Sequence, residues 1–194
     1  MNFIFDIGNV LVDYDPLAYL ERLFVDKALI DKLNSNIFQS PDWLQMDHGF
    51  LSRDEATRIF IERMPEFESE VIRTMDGIND IFIPLSEVID LLPIIKAAGH
   101  SLYYLSNMQK EIRDFLVSNH KYLELFDGGI FSCDVNVIKP SPKIYHHLLD
   151  KYQLDSKDCL FFDDMPVNVT AAEKEGIKGI LFTTAECVLP YIKI

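Results

Sequence analysis

The chain has 194 residues, of which 48% are hydrophobic and 25% charged, and it carries a formal net charge of −13. This length suits one domain of ordinary size, or one core with a small insertion. The strong negative charge argues against nucleic acid as a partner. No apolar run approaches the roughly 18 residues of a membrane span, so we expect no membrane partner either.

Three cysteines, Cys133, Cys159 and Cys187, lie far apart in the sequence. Their odd number and spacing predict neither a disulfide framework nor a zinc site, and free thiols suit a reducing compartment. The N-terminus has no basic segment leading into an apolar one with a cleavage site. We therefore expect a cytoplasmic protein, whose oligomeric state the sequence leaves open between a monomer and a weak homodimer.

The chain opens with a short apolar strand, Asn2 to Phe5, which ends at Asp6 and a turn at Gly8-Asn9. In an open parallel sheet, ligands bind outside the carboxyl ends of the strands. Asp6 is therefore placed where a nucleophile or a metal ligand would lie, and Gly8 would let the backbone pass close to a ligand. An ordinary strand that ends in a turn explains this stretch, taken alone, equally well.

Residues 13–84 differ from the rest, because charged and apolar residues alternate at helical spacing and no strand is evident. Ser52 with Glu55 forms a capping box that predicts the start of one helix, and Pro65 predicts its end. We expect about four short helices in this region. It would act either as a lid over a site or as a purely structural module.

From residue 85 onward, strand patterns alternate with helix patterns. Further strands are predicted at residues 101–105, 129–132, 159–162 and 178–182. Helices are predicted at residues 86–98, with a kink or split at Pro93, at 109–119, 141–152 and 166–176, and after the last strand. This alternation predicts an α/β fold, a doubly wound parallel Rossmann-like sheet with right-handed crossovers.

Groups of polar residues follow the first four strands in chain order: Asp6, then Ser106 with Asn107, then Lys139, and finally Asp163 and Asp164 with Asn168. In a parallel sheet all of them would meet at one edge. Taken singly, Ser106-Asn107 is better read as a helix cap and Lys139 as a surface lysine, but chance explains the whole set poorly. Two adjacent acids repel each other unless a cation lies near, and Mg²⁺ takes oxygen ligands.

These residue types suit phosphoryl transfer. Mg²⁺ neutralises and orients a phosphate, and a lysine acts on it as a point charge. Ser106 and Asn107 could donate to the phosphoryl oxygens. An aspartate can form an aspartyl-phosphate that water then hydrolyses.

The order of these motifs resembles the haloacid dehalogenase superfamily over essentially the whole chain. The resemblance is carried by Phe5-Asp6, Ser106-Asn107, Lys139-Pro140-x-Pro142 and Asp163-Asp164-x-x-x-Asn168. Residues 15–84 resemble that family's helical cap, inserted after the first strand, which leaves residues 1–14 and 85–194 as the core. The stretch from Phe5 to Asp13, with Trp43…Asp47-x-Gly49-x-Leu51-Ser52, is most similar to the branch of α-D-glucose-1-phosphate phosphatases.

The resemblance implies a role for each motif residue. Asp6 would be the nucleophile and a ligand of Mg²⁺, and the Gly8 carbonyl a second ligand. Ser106 and Asn107 would bind the phosphoryl group, and Lys139 would steady both Asp6 and the phosphate. Asp164 would be the third protein ligand, with Asp163 beside it, directly or through water. The implied activity is the Mg²⁺-dependent hydrolysis of small phosphorylated metabolites, such as sugar phosphates and in particular sugar 1-phosphates.

Gly8 departs from the family pattern, in which a second Asp two residues after the nucleophile acts as general acid and base. Such catalysis is typically worth about 10²–10⁴-fold in rate, and Asp13 or a cap residue could replace it. Two alternatives stay open. One is a 2-haloacid dehalogenase, which uses the same aspartate without metal and is disfavoured by the paired acids. The other is a non-catalytic regulatory protein on a decayed phosphatase scaffold.

Overall fold

A computed structural model describes residues 1–192. Its strands are, in chain order, β1 (Asn2–Phe5), β2 (Val12–Tyr14), β3 (Phe82–Pro84), β4 (Ser101–Ser106), β5 (Gly128–Phe131), β6 (Cys159–Asp163) and β7 (Lys178–Leu181). Five of these form a parallel sheet in the order β5-β4-β1-β6-β7. The predicted parallel α/β sheet is confirmed, and its five strands lie within a residue of their predicted bounds at either end.

Helices pack on both faces of this sheet. In chain order they are α1 (Pro16–Leu23), α2 (Lys27–Leu33), α3 (Pro41–Asp47), α4 (Arg53–Arg63), α5 (Glu68–Asp76), α6 (Ser86–Ile89), α7 (Leu92–Ala97), α8 (Lys110–Asn119), α9 (Ser132–Val135), α10 (Pro142–Tyr152) and α11 (Pro166–Lys174). Because side chains alternate along a strand, Phe3 and Phe5 of β1 enter one hydrophobic cluster with α7 and α8. Ile4 enters a second cluster with α10 and α11. The sheet is therefore doubly wound, with β1 at its centre.

Two predictions about the helices of the core have different outcomes. The helix predicted over residues 86–98 is split into α6 and α7, with Pro93 in the first turn of α7, where its missing N–H needs no partner. The prediction of a helix after β7 is wrong, because residues 185–187 and 189–191 form two short 3₁₀ turns. Pro190 has no N–H to donate to a carbonyl four residues earlier, so a helix that began at Ala185 could not continue through it. Residues 193–194 lie outside the described part.

Residues 15–81, called here the helical insert, lie between β2 and β3. The insert holds five α-helices and a π-helical turn at Asn34–Phe38, more than the four helices expected. Ser52 and Glu55 form the predicted capping box at the start of α4. The apolar side chains of the insert join the cluster that also contains Phe3 and Phe5, so the insert packs directly on the core.

The expectation of no strand in this region is wrong at its two ends. β2 and β3 pair in antiparallel register, with Tyr14 opposite Phe82 and Asp13 opposite Ile83. The rings of Tyr14 and Phe82 stack with centroids 5.4 Å apart. This ribbon joins the two ends of the helical insert to the core, immediately beyond Asp6. Within residues 1–192, no helix is long and apolar enough to cross a membrane.

Candidate active site

Asp6 lies at the carboxyl end of the central strand. Its backbone N–H donates to the carbonyl of Phe162 in the neighbouring strand β6 at 2.9 Å, which continues the sheet by one residue. Its carboxylate accepts the N–H of Ile7 at 2.7 Å, and only 8% of the residue is exposed. Sheet pairing on one side and a backbone donor on the other therefore fix this carboxylate in place.

Lys139 meets Asp6 and Asp163 in a buried ion-pair triad. Its Nζ lies 2.8 Å from Asp6 Oδ1 and 2.6 Å from Asp163 Oδ2, and Lys139 is 3% exposed. Burial lowers the pKa of Lys139, but the two carboxylates raise it more, so the net shift is upward. Burial raises the pKa of Asp6 to about 6, with Lys139 opposing this rise and Asp163 adding to it. The lysine is therefore a permanent cation between two acids.

Asp163 is held in place within this triad by burial and hydrogen bonds. It is fully buried, and it accepts the N–H of Met165 at 2.8 Å. Asn168 Nδ2 lies 3.0 and 3.1 Å from its two oxygens, and the Tyr145 hydroxyl donates to the Asn168 carbonyl at 2.9 Å. With Lys139 and these donors around it, both Asp163 oxygens already have partners. Its predicted role as a metal ligand stays a prediction.

Ser106 ends β4 beside this triad and Asn107 follows it, and both line the same cavity as Asp6. Asn107 ties two of the predicted motifs together. Its Nδ2 donates to the Lys139 carbonyl at 3.1 Å, and its Oδ1 accepts the Lys139 N–H at 2.7 Å. The amide therefore fixes the backbone that carries the lysine, a positioning role that the sequence did not predict.

Three carboxylates that could hold a cation converge at the same edge. One carboxylate oxygen from each of Asp6, Asp163 and Asp164 lies within 4.8 Å of the others. Asn9 Nδ2 donates to Asp164 Oδ2 at 3.1 Å, and Asn9 Oδ1 accepts the N–H of Tyr14 at 3.0 Å. Asn9 has a φ of 54°, a left-handed conformation that Asn tolerates. A carboxylate cluster of this kind fits a hard divalent cation such as Mg²⁺.

The triad and these carboxylates open into a cavity of about 260 Å³. Its walls away from the sheet edge are mostly apolar and aromatic. Tyr14 and Phe82 of the ribbon and Trp43 and Asp47 of the insert contribute to them, and so do the core residues Met108, Ile112 and Met165. Asp13 is exposed on the other side of β2, as the alternation of a strand requires. Asp47 at the end of α3 is thus the residue of the insert that brings a carboxylate into the cavity.

The end of α3 docks against α9 of the core. Asn136 Nδ2 donates to the His48 carbonyl at 2.7 Å, and His48 Nδ1 lies 3.2 Å from the Asn136 carbonyl. The Ser132 hydroxyl donates to the Asp47 carbonyl at 2.5 Å. Gly49, with a φ of 76°, passes so close to Cys133 that an added Cβ would lie 2.7 Å from its carbonyl oxygen. This close contact holds Asp47 in register with the core.

Gly49→Ala is expected to destabilise the protein more than Gly99→Ala. Both glycines have a positive φ, of 76° and 82°, but a Cβ at Gly99 would meet no atom within 4 Å. The conformation alone costs about 1–2 kcal/mol, and the clash at Gly49 adds about 1–3 kcal/mol. Urea unfolding of the two variants measures the difference, and equal losses would contradict the tight contact between Gly49 and Cys133.

The fold and this site define a class: Rossmann-like α/β proteins with an aspartate at the end of the first strand. The family model for the haloacid dehalogenase-like hydrolases matches residues 1–176. The chain therefore belongs to the haloacid dehalogenase-like hydrolase family, as its motifs predicted.

Two curated relatives have names that describe phosphate hydrolysis. A sesquiterpene phosphatase of Aspergillus oryzae is 27% identical over 180 residues, which cover 93% of this chain and 88% of that protein. A flavin mononucleotide hydrolase of Arabidopsis thaliana is 23% identical over 145 residues, which cover 74% of this chain and 58% of that protein.

Two solved structures share the fold at low identity. A haloacid dehalogenase family enzyme from Bacteroides thetaiotaomicron, in complex with magnesium and inorganic phosphate, has a TM-score of 0.75 at 19% identity, covering 94% of this chain and 93% of its own. The L-2-haloacid dehalogenase of Xanthobacter autotrophicus, with chloropropionic acid covalently bound, has a TM-score of 0.67 at 17% identity, covering 97% and 80%. At these identities, the two likenesses show the shared fold alone.

Proposed function

We propose that this protein is a Mg²⁺-dependent phosphatase of small phosphorylated metabolites, which acts through an aspartyl-phosphate on Asp6. The observation that carries the proposal is the arrangement around Asp6. A buried carboxylate is fixed by Lys139 at 2.8 Å, and it shares a cluster with two further carboxylates. The two relatives named as a phosphatase and a mononucleotide hydrolase support the same chemistry.

Each residue has a part in this chemistry. When bound between Asp6 and Asp164, with the Gly8 carbonyl as a further ligand, Mg²⁺ would neutralise and orient the phosphoryl group. Lys139 holds the Asp6 carboxylate ionised and directed, and its charge also favours the phosphate. Ser106 and Asn107 line the cavity at the end of β4, where they would donate to phosphoryl oxygens. Asp6 then attacks phosphorus, and water hydrolyses the aspartyl-phosphate.

Dehalogenation of a 2-haloacid is the weaker candidate. Among the cavity-lining residues of the described chain, the basic side chain is Lys139, and it is already shared between two carboxylates. A substrate carboxylate would meet the negative charges of Asp6 and Asp164 without a free cation to offset them. A phosphate brought in with a divalent cation does not have this difficulty.

The cavity walls also bear on the substrate. A volume of about 260 Å³ admits a small leaving group, and the walls offer it Tyr14, Trp43 and Phe82 rather than a second cation. This favours a leaving group without charge. Sugar 1-phosphates have an uncharged leaving group, and so do the monophosphates of apolar alcohols. The name of the Aspergillus relative, a sesquiterpene phosphatase, points to the second kind of substrate.

Hydrolysis of p-nitrophenyl phosphate tests the proposal. We expect turnover with Mg²⁺ and its loss, by at least about tenfold, in excess EDTA, because the carboxylate cluster then lacks its cation. Asp164→Ala should raise the Mg²⁺ concentration needed for half-maximal rate. Asp158→Ala, an exposed acid at the opposite end of β6, should not. Undiminished turnover in EDTA would exclude the metal role, and chloride release from a 2-haloacid without Mg²⁺ would establish the dehalogenase instead.

A further inference from the structure

Asp47 is a carboxylate of the cavity to which the proposed mechanism gives no part. It ends α3, is half-buried and lines the cavity together with Asp6. Burial, and then the charge of Asp6, raise the pKa of Asp47 to about 8. Its carboxyl has no ion pair and no side-chain hydrogen bond within residues 1–192, although other acids of the cavity do. The Asp47 carboxyl therefore has no partner among the described residues, and its raised pKa favours the protonated form, which can donate.

The backbone of Asp47 is tied directly to the phosphoryl-binding end of β4. The buried Ser132 hydroxyl donates to the Asp47 carbonyl at 2.5 Å and accepts the N–H of Met108 at 2.9 Å. Met108 follows Ser106 and Asn107 in the chain. One hydroxyl therefore links the end of α3 to the loop that would hold the phosphoryl group.

Position 8, two residues after Asp6, has no acid in this chain, although the family pattern has a general acid there. Gly8 has no side chain, although a Cβ there would meet nothing closer than Tyr14 Cβ at 3.9 Å. Of the two replacements expected from the sequence, Asp13 faces away from the cavity. Burial, with the Asp47 charge, raises the pKa of Tyr14, which makes it a poor proton donor. Asp47 therefore remains as the candidate from the insert for the missing general acid.

We propose that Asp47 is the general acid and base of the hydrolysis, a role that rests on the proposed phosphatase function. As Asp6 attacks phosphorus, the bond from phosphorus to the leaving oxygen breaks, and its electron pair stays on that oxygen. The Asp47 carboxyl gives its proton to this oxygen, so an alcohol departs and Asp47 becomes a carboxylate. In the second step Asp47 takes a proton from the attacking water. The bond from phosphorus to Asp6 then breaks with its electron pair on Asp6, which releases phosphate and returns Asp6 as a carboxylate and Asp47 as the protonated acid.

This role predicts how the rate depends on the leaving group. An acid catalyst matters most for a leaving oxygen that departs poorly as an anion. We would measure kcat/KM, which reports the first chemical step, for phenyl phosphates with substituents of graded acidity, at saturating Mg²⁺. Asp47→Asn should lose about 10²-fold or more on phenyl phosphate and less than about tenfold on p-nitrophenyl phosphate. The slope of log kcat/KM against leaving-group pKa should therefore be steeper than in the parent.

The control is Asp42→Asn, the same change in the first turn of the same helix but outside the cavity, and it should keep the slope of the parent. Urea unfolding checks that both variants are folded. An equal loss on all phenyl phosphates, or no loss, in folded Asp47→Asn would overturn the role of Asp47 while the phosphatase function stands. A parent protein that releases no phosphate from any member of the series would overturn the phosphatase function, and this role with it.

Discussion

Asp6→Asn is expected to abolish phosphate release, by at least about 10³-fold, because removal of a nucleophile usually costs that much or more. The change is nearly isosteric, but the amide neither attacks phosphorus nor carries the charge that a cation needs. Turnover of p-nitrophenyl phosphate at saturating Mg²⁺ measures the loss. Mass spectrometry of the parent, quenched during turnover, should show one added phosphoryl group that the variant lacks.

The fold should survive this change. Burial disfavours the Asp6 carboxylate, as its raised pKa of about 6 shows, and Lys139 keeps a second partner in Asp163 at 2.6 Å. We therefore expect the free energy of unfolding of Asp6→Asn to equal or exceed that of the parent. Turnover within tenfold of the parent would exclude Asp6 as the nucleophile, and a collapse of stability would make the activity loss uninformative about chemistry.

The grouping of the polar residues that follow the strands could be predicted, because the topology of a parallel sheet brings its strand ends to one edge. In a parallel sheet, Asp6, Ser106 and Asp163 must share an edge once their strands are recognised, and each strand is a compact apolar run with a polar residue behind it. Lys139 was harder, because it lies eight residues beyond the end of β5. The spacing of its Lys-Pro motif assigned it to the site nevertheless. The structure places its Nζ between Asp6 and Asp163.

What the sequence did not predict depends on packing between distant segments. β2 and β3 have three residues each, too few for alternation to be distinguished from a helical pattern. They pair across the two ends of the helical insert, with Val12 opposite Pro84. Asp47 was visible in the Trp43…Asp47-x-Gly49 stretch, but α3 must dock on α9 before its carboxyl enters the cavity. Gly49 was the available signal, since glycine permits both the left-handed backbone that follows a helix and the close approach of another segment.

Lys139→Met is expected to destabilise the protein by about 3–5 kcal/mol, the usual result when one partner of a buried ion pair is removed. Asp6 and Asp163 would then face each other without a cation, and Asp163 is fully buried. Methionine fills a similar volume, so a packing defect contributes little. Urea unfolding in EDTA measures the loss, and Lys96→Met is the matched control. Lys96 pairs with Asp127 at 2.7 Å on the surface, where a pair is worth about 0–1 kcal/mol.

A second charge removal separates electrostatics from packing. If repulsion between the two carboxylates causes the loss, Asp163→Asn added to Lys139→Met should restore part of the stability, although Asp163→Asn alone should destabilise. The coupling energy of this double-mutant cycle should then be large, on the order of 1–3 kcal/mol. Saturating Mg²⁺ should also restore part of the stability of Lys139→Met, because a cation bound at Asp6 and Asp164 lowers the same repulsion. A loss in EDTA no larger than that of Lys96→Met would mean that the triad is not a stabilising unit, and that Lys139 is held at this edge by the Asn107 amide and the surrounding chain alone.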